Sequence, residues 1–125
     1  MPAFDKNFSP PAPVAEVIVT HPVSSVNSGL LPGKLDTGAD LTVIPEGLIS
    51  QLALKARAQI WARGFDGTFS RRPVYYVRFT IEGFELPIVR CIAAERQNVL
   101  VGRNVLNRFI LTLDGKNLRF DLRPA

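Results

Sequence analysis

Two aspartates stand close together in the run GKLDTGADLTVI, Gly33 to Ile44, as Asp36 and Asp40. Apolar residues flank them, so the run reads as one that should be buried. A carboxylate there has two chemical uses. It accepts backbone N–H groups in an Asx-turn or a helix cap, or it moves protons as a general acid or base. Asp-Thr-Gly alone does not decide between them, because at average residue usage the triplet turns up in roughly a few per cent of chains this long. Asp40 is not a second acid–base group for the same water. A loop that short, running through Gly38, does not bring both side chains to one point while its strands stay paired. The spacing also fails to match the Asp-x-Asp of a phosphatase-type nucleophile.

The elements that must hold Asp36 are mostly strands. VAEVIVTHP reads as a first strand stopped by Pro22, and GKLDTGAD as a strand running into a tight loop. In LTVIPEGLISQLAL the spacing predicts a short helix, with Pro45 in its first turn and Leu48, Ile49 and Leu52 on one face. KARAQIWARGFDGTFSRRPVYYVRFTI reads as a long hairpin whose tip lies between Gly64 and Gly67, where Asp66-Gly67 is a strong turn signal. Its outgoing arm alternates, with Tyr75, Val77, Phe79 and Ile81 on one face and Tyr76, Arg78 and Thr80 on the other. Glu82-Gly83 turns into FELPIVRCIAA. NVLVG is a short apolar strand, and RNVLNRF a helical turn with Val105, Leu106 and Phe109 inward. FILTLDGKNLRFDL is a last hairpin turning near Asp114-Gly115. The expected class is mostly β with one or two short helices, in a closed or folded-over barrel.

The totals exclude several functions. With 125 residues the chain suits one domain, and a chain this size buries only about two-thirds of its unfolded surface. Residues 1–13 carry four prolines and no period, and are expected to form a flexible arm; residues 14–125 form the domain. The net charge is +4, but the arginines are scattered and only Arg71 and Arg72 adjoin. A nucleic-acid site clusters its charge, so a basic nucleic-acid-binding barrel is the weakest of the readings considered. Cys91 is the only cysteine and reads as a small buried hydrophobe; His21 is the only histidine. One of each makes a poor metal site, and no metal or cofactor is expected. The N-terminus lacks the apolar stretch of a signal peptide and no run is long enough to span a bilayer, so a cytoplasmic protein without a membrane partner is expected.

Context strengthens the Asp-Thr-Gly. Leu35-Asp36-Thr37-Gly38-Ala39-Asp40 is followed late in the chain by Leu100-Val101-Gly102-Arg103-Asn104, with the long hairpin between them. In motifs, order and spacing, residues 14–122 resemble the retroviral-type (retropepsin-like) aspartic proteases. That resemblance implies one lobe of a β-barrel per chain and a two-fold homodimer. In aspartic proteases as a class, two carboxylates about 3 Å apart share one proton because both cannot ionise together. The charged member takes a proton from water while the protonated one donates to the substrate carbonyl. With a single Asp-Thr-Gly, this chain would obtain its second carboxylate from Asp36 of a second copy.

The resemblance also distributes roles. Asp36 is the catalytic residue. Thr37 bonds across the dimer axis, and its β-branched hydroxyl suits a rigid platform. Gly38, with freedom for an unusual φ, brings its carbonyl to the substrate main chain, and Ala39 follows it in the loop. Asp40 pairs with Arg103, which follows Gly102. Arg63, Gly64, Phe65, Asp66 and Gly67 match a flap that closes over a peptide or protein substrate. The tip departs from the glycine-rich family pattern through Asp66 and the nearby Arg71-Arg72, a change that would favour acidic or polar peptides. The C-terminal hairpin departs too; it would either supply the dimer sheet or block the family's interleaved termini. A non-catalytic peptide-binding dimer with the same fold is the alternative reading.

Overall fold

The computed structural model of the chain describes residues 1–64 and 66–125. In chain order the elements are β1 (Val14–Thr20), β2 (Leu31–Leu35), β3 (Thr42–Pro45), α1 (Gly47–Gln51), β4 (Ala58–Arg63), β5 (Phe69–Ile81), β6 (Phe84–Ala94), β7 (Val99–Val101), α2 (Arg103–Leu106), β8 (Phe109–Asp114) and β9 (Arg119–Pro124). The protein is mostly β, as its alternating pattern requires. Ala15, Val17 and Val19 of β1 bury one face, as do Val77, Phe79 and Ile81 of β5. Tyr75, on the same β5 face, packs only partly against that core.

Seven strands form one sheet in the order β1-β2-β7-β3-β6-β5-β4, and β8 and β9 pair separately. β1 pairs with β2 over Val14–Val17 and with β5 over Val17–Thr20, so it changes partner at Val17. Most pairs are antiparallel, but β2 runs parallel to β7 and β3 parallel to β6. The first parallel pair sets Leu35 opposite Val101. The residues after both strands, Asp36 and Gly102, therefore emerge side by side.

Local chemistry departs from the sequence pattern in two places. Pro45 closes β3 and does not open the helix; α1 begins at Gly47, with Glu46 as its N-cap. Its ring removes no bond there, because Glu46 N–H, one residue on, continues the backbone link to Ala94 O at 2.9 Å. Phe109 starts β8 and is half-buried, while α2 stops at Leu106 with Val105 and Leu106 buried. The N-terminal segment makes defined backbone bonds: Phe4 N–H donates to Leu118 O at 2.7 Å and Phe120 N–H to Pro2 O at 2.9 Å. Phe4 packs against the core and Ala12 is buried. The hairpin β8–β9 therefore carries strand-like partners on its Arg119 side.

No helix among the described residues is long and apolar enough to cross a membrane.

Candidate functional site

Asp36 leaves the sheet at the end of β2, and its N–H still donates to Val101 O at 2.9 Å. The chain then turns. Asp36 O accepts Ala39 N–H at 3.2 Å, and the side-chain Oδ1 accepts Gly38 N–H at 2.9 Å. This is the Asx-type bond expected of any Asp in a turn, and it also fixes where the carboxylate points. The run is not buried throughout. Leu35, Thr42 and Ile44 are inside, Asp36 is half-buried, and Thr37, Gly38 and Asp40 are exposed. The reason is topological: β2 ends at Leu35, so the strand's in–out alternation lapses where the loop leaves the sheet.

The second motif grips this loop from behind. Arg103 N–H donates to Ala39 O at 2.8 Å, and Arg103 Nη1 donates to Thr37 O at 2.8 Å. Its other nitrogen, Nη2, pairs with Asp40 Oδ1. Both partners keep solvent contact, with 43% of the Arg103 side chain and 84% of the Asp40 side chain exposed, so the pair orients the loop more than it stabilises the fold. Gly102 has a steric reason. A Cβ there would sit 2.6 Å from Leu41 C and 2.7 Å from Leu41 O. The two backbones touch, and only glycine fits between them.

A buried polar network lies beneath. Thr42 is the buried polar residue of the core, at 0% exposure. Its hydroxyl donates to Asn104 Oδ1 at 2.9 Å and accepts Gly102 N–H at 3.1 Å. Asn104 Oδ1 also accepts Thr42 N–H at 3.0 Å, and Asn104 Nδ2 donates to Arg90 O at 2.8 Å. The sequence motif contained Asn104 and Thr42, but their bonding to one another had no local signal.

Gly38 does not serve through a left-handed backbone. The positive-φ glycines among the described residues are Gly29, Gly67 and Gly83. A Cβ at Gly38 would approach only Asp36 Oδ1, at 3.2 Å. Its place in a tight Asx-turn beside the carboxylate is what a side chain would crowd.

The β4–β5 hairpin borders two clefts, one of them shared with the loop. One, of about 560 Å³, lies between Gly38–Leu41 and the hairpin residues Ile60–Arg63 and Phe69. The other, of about 700 Å³, has Arg63, Gly64 and Asp66 of the hairpin on one side and Ile92–Ala94, Arg96 and Leu100 on the other. The tip is a defined turn. Gly64 N–H donates to Thr68 O at 2.9 Å, and Gly67 takes φ +81°. Asp66 Oδ1 accepts Thr68 N–H and its hydroxyl at 3.0 and 2.7 Å, and these bonds hold the Asp66 carboxyl below its ordinary value. Phe65, expected in this turn, lies outside the described residues.

Arg96, in the connection from β6 to β7, was not singled out by the sequence. Partial burial pushes its guanidinium below the ordinary value, and the Asp36 carboxylate, within electrostatic reach, opposes that. Cys91 is buried, and its thiol is pushed up to about 12 by desolvation. It donates weakly to Tyr75 O and is a core residue. Among the described residues no three His, Cys, Asp or Glu converge as a metal site.

The family model described as aspartyl protease matches residues 25–114. Among solved structures, the chain is similar to the simian foamy virus (mac) protease, with a TM-score of 0.57 and 17% identity over 76% of this chain and 92% of that one. It is similar also to the foamy viral protease-reverse transcriptase in complex with RNA/DNA hybrid, with a TM-score of 0.56 and 18% identity over 75% of this chain. There the match spans 12% of the longer protein. Curated proteins give no match in sequence.

Proposed function

The chain belongs to the aspartyl protease family, with a retropepsin-like fold, and from that premise we propose that it hydrolyses peptide bonds through an Asp36 carboxylate from each of two copies. The observation that carries this reading is the loop itself. Asp36 is held from the front by Gly38 N–H and from behind by Val101 O, on a turn that Arg103 locks at Thr37 and Ala39. Such preorganisation is what a pair of carboxylates needs if it is to share one proton over one water.

A second copy has a surface to meet. Thr37 is exposed beside a groove formed by Leu106, Phe109, Leu111 and Leu113. Leu113, on the groove side of the strand, is about half exposed, at 48%. This apolar face supports an isologous contact around Thr37, and the partner pairings of β1 support a folded-over barrel as the lobe that each copy contributes. Residues 14–125 are taken as that lobe, with residues 1–13 attached to it.

In the dyad, the ionised Asp36 takes a proton from water as the water oxygen bonds to the carbonyl carbon. The protonated Asp36 gives its proton to the carbonyl oxygen. Collapse of the tetrahedral species breaks the C–N bond: the nitrogen takes the proton that the first Asp36 drew from water, and a hydroxyl proton returns to the second Asp36, leaving an acid, an amine and the dyad with its one shared proton. Gly38, Ala39, Asp40, Gly102 and Arg103 keep the loop in place. Arg63, Gly64, Asp66 and Gly67 cover an extended peptide and exclude water.

Asp36→Asn tests the reading. Asparagine keeps the Oδ1 acceptor for Gly38 N–H, so folding and sedimentation are expected to match the parent, while cleavage of a denatured protein substrate across pH 3–7 is lost. Undiminished cleavage by the variant, or a parent that sediments as a monomer while cleaving, overturns it. Peptide binding without cleavage in the parent would instead favour the non-catalytic module.

A further inference from the structure

The larger of the two clefts is cationic, and its charges come from three separate parts of the chain. Arg63 lies on β4, Arg72 on β5 and Arg96 between β6 and β7. The one carboxylate lining it, Asp66, already accepts both Thr68 donors. Arg96 is the central group because it is half-buried and fixed. Its Nε donates to Asn98 O and Oδ1 at 2.8 and 3.0 Å, and its Nη2 to Asn98 Oδ1 at 2.6 Å. Nη1 has no protein partner among the described residues, and none of the ion pairs found there includes Arg96. A partly desolvated guanidinium with one edge clamped and the other edge open is arranged to receive an anion.

The neighbouring cleft differs in chemistry. It shares Val43, Ala62, Arg63 and Ile92 and also holds Asp40 and Arg90, but takes Ile60, Trp61 and Phe69 from the hairpin, with Trp61 and Phe69 exposed at 67% and 63%. An extended chain lying under the hairpin would therefore meet a recess with aromatic side chains and charges of both signs on one side, and one in which Arg96 and Arg72 join the shared Arg63 on the other. The apolar floor of the basic recess, formed by Ala93 and Leu100, suits the methylenes of a glutamate. A nucleic-acid backbone calls for a stripe of cations along an open surface, and these three converge into a recess.

We propose that this recess is a subsite for an acidic side chain of the peptide substrate, with Arg96 as the residue that determines that specificity. The proposal rests on the reading that peptide is bound beside Asp36. A carboxylate lodged against Nη1 gains a charge-assisted hydrogen bond, which at a half-buried site favours glutamate over glutamine by about tenfold.

The test uses fluorescein-labelled decapeptides of alanine and leucine, with one glutamate moved along the series, each beside its glutamine match. Cleavage is followed as kcat/KM in the parent protein, and binding by anisotropy in Asp36→Asn. At one position the Glu/Gln ratio is expected to reach about tenfold in both measurements. It should fall to near one in Arg96→Gln and favour lysine in Arg96→Glu, with unchanged melting temperatures certifying the fold. Lys55→Gln, outside both clefts, should keep the ratio. A uniform loss of rate on all peptides in Arg96→Gln, with the ratio kept, would overturn the subsite. So would equal Glu and Gln binding at every position, or salt-sensitive binding of a single-stranded oligonucleotide that displaces the peptide and is lost in Arg96→Gln. If nothing is cleaved but glutamate still binds preferentially through Arg96, the hydrolytic reading fails and the subsite stands.

Discussion

Thr42→Val keeps the shape of the side chain and replaces its hydroxyl with a methyl group, in a position with 0% exposure. On hydrophobic grounds alone the change should stabilise, by at most about 0.8 kcal/mol for one buried carbon. The bonding decides otherwise. Thr42 Oγ1 is the acceptor for Gly102 N–H at 3.1 Å, and Gly102 is itself buried. Valine leaves that N–H without a partner, at about 1–3 kcal/mol. Asn104 Oδ1 loses one of its two donors but keeps Thr42 N–H at 3.0 Å, so the second loss is smaller. The net expectation is a destabilisation of about 1–2 kcal/mol, or a fall in melting temperature of about 4–8 °C for a domain of this size. Calorimetry measures the shift, and amide exchange at Gly102 should accelerate with it. A double-mutant cycle with Asn104→Ala should return a coupling of about 0.5 kcal/mol or more, because the two residues share a bond. A valine variant at or above the parent's melting temperature, with Gly102 still protected from exchange, would refute the reasoning.

Gly102→Ala should destabilise by about 1–3 kcal/mol, since its new Cβ meets Leu41 backbone that cannot swing aside; a melting temperature equal to the parent's would contradict the close approach. Arg103→Ala removes the bond to Thr37 O and the Asp40 pair. Exposure of both partners limits the loss within one chain to about 1 kcal/mol, while sedimentation equilibrium should show weaker self-association; unchanged association and activity would sink the role given to Arg103. Cys91 should resist a thiol reagent at pH 8 until denaturant is added, because its thiol is pushed from 9.0 to about 12. A thiol raised on folding stabilises fully below the unfolded value. Stability should therefore decline as pH rises from 9 towards 12, and rapid labelling of the native protein would contradict it.

Much of the fold was legible because its signals are local. Alternation marked β5, Asp66-Gly67 marked the hairpin tip, and Glu82-Gly83 marked the next turn, since strand period and turn chemistry depend on near neighbours. The motif around Asp36 and its echo at Gly102 were legible for the same reason, and they sufficed to indicate the family. Pro45 was misplaced because a proline suits a strand's last position as well as a helix's first turn, and only the pairing with β6 separates the two.

The chain's own order of residues thus determined the family it belongs to and most of the segments that become strands. The tertiary structure alone decided how they meet. Parallel pairing of β2 with β7 puts Leu35 level with Val101, and so sets Asp36 beside Gly102. The antiparallel pairing of β3 with β7 brings Thr42 to Asn104, and the connection from β6 to β7 carries Arg96 within electrostatic reach of Asp36. No period in the sequence encodes contacts between segments so far apart along the chain; they are fixed by which strands share hydrogen bonds, and burial of the whole sheet selects that arrangement.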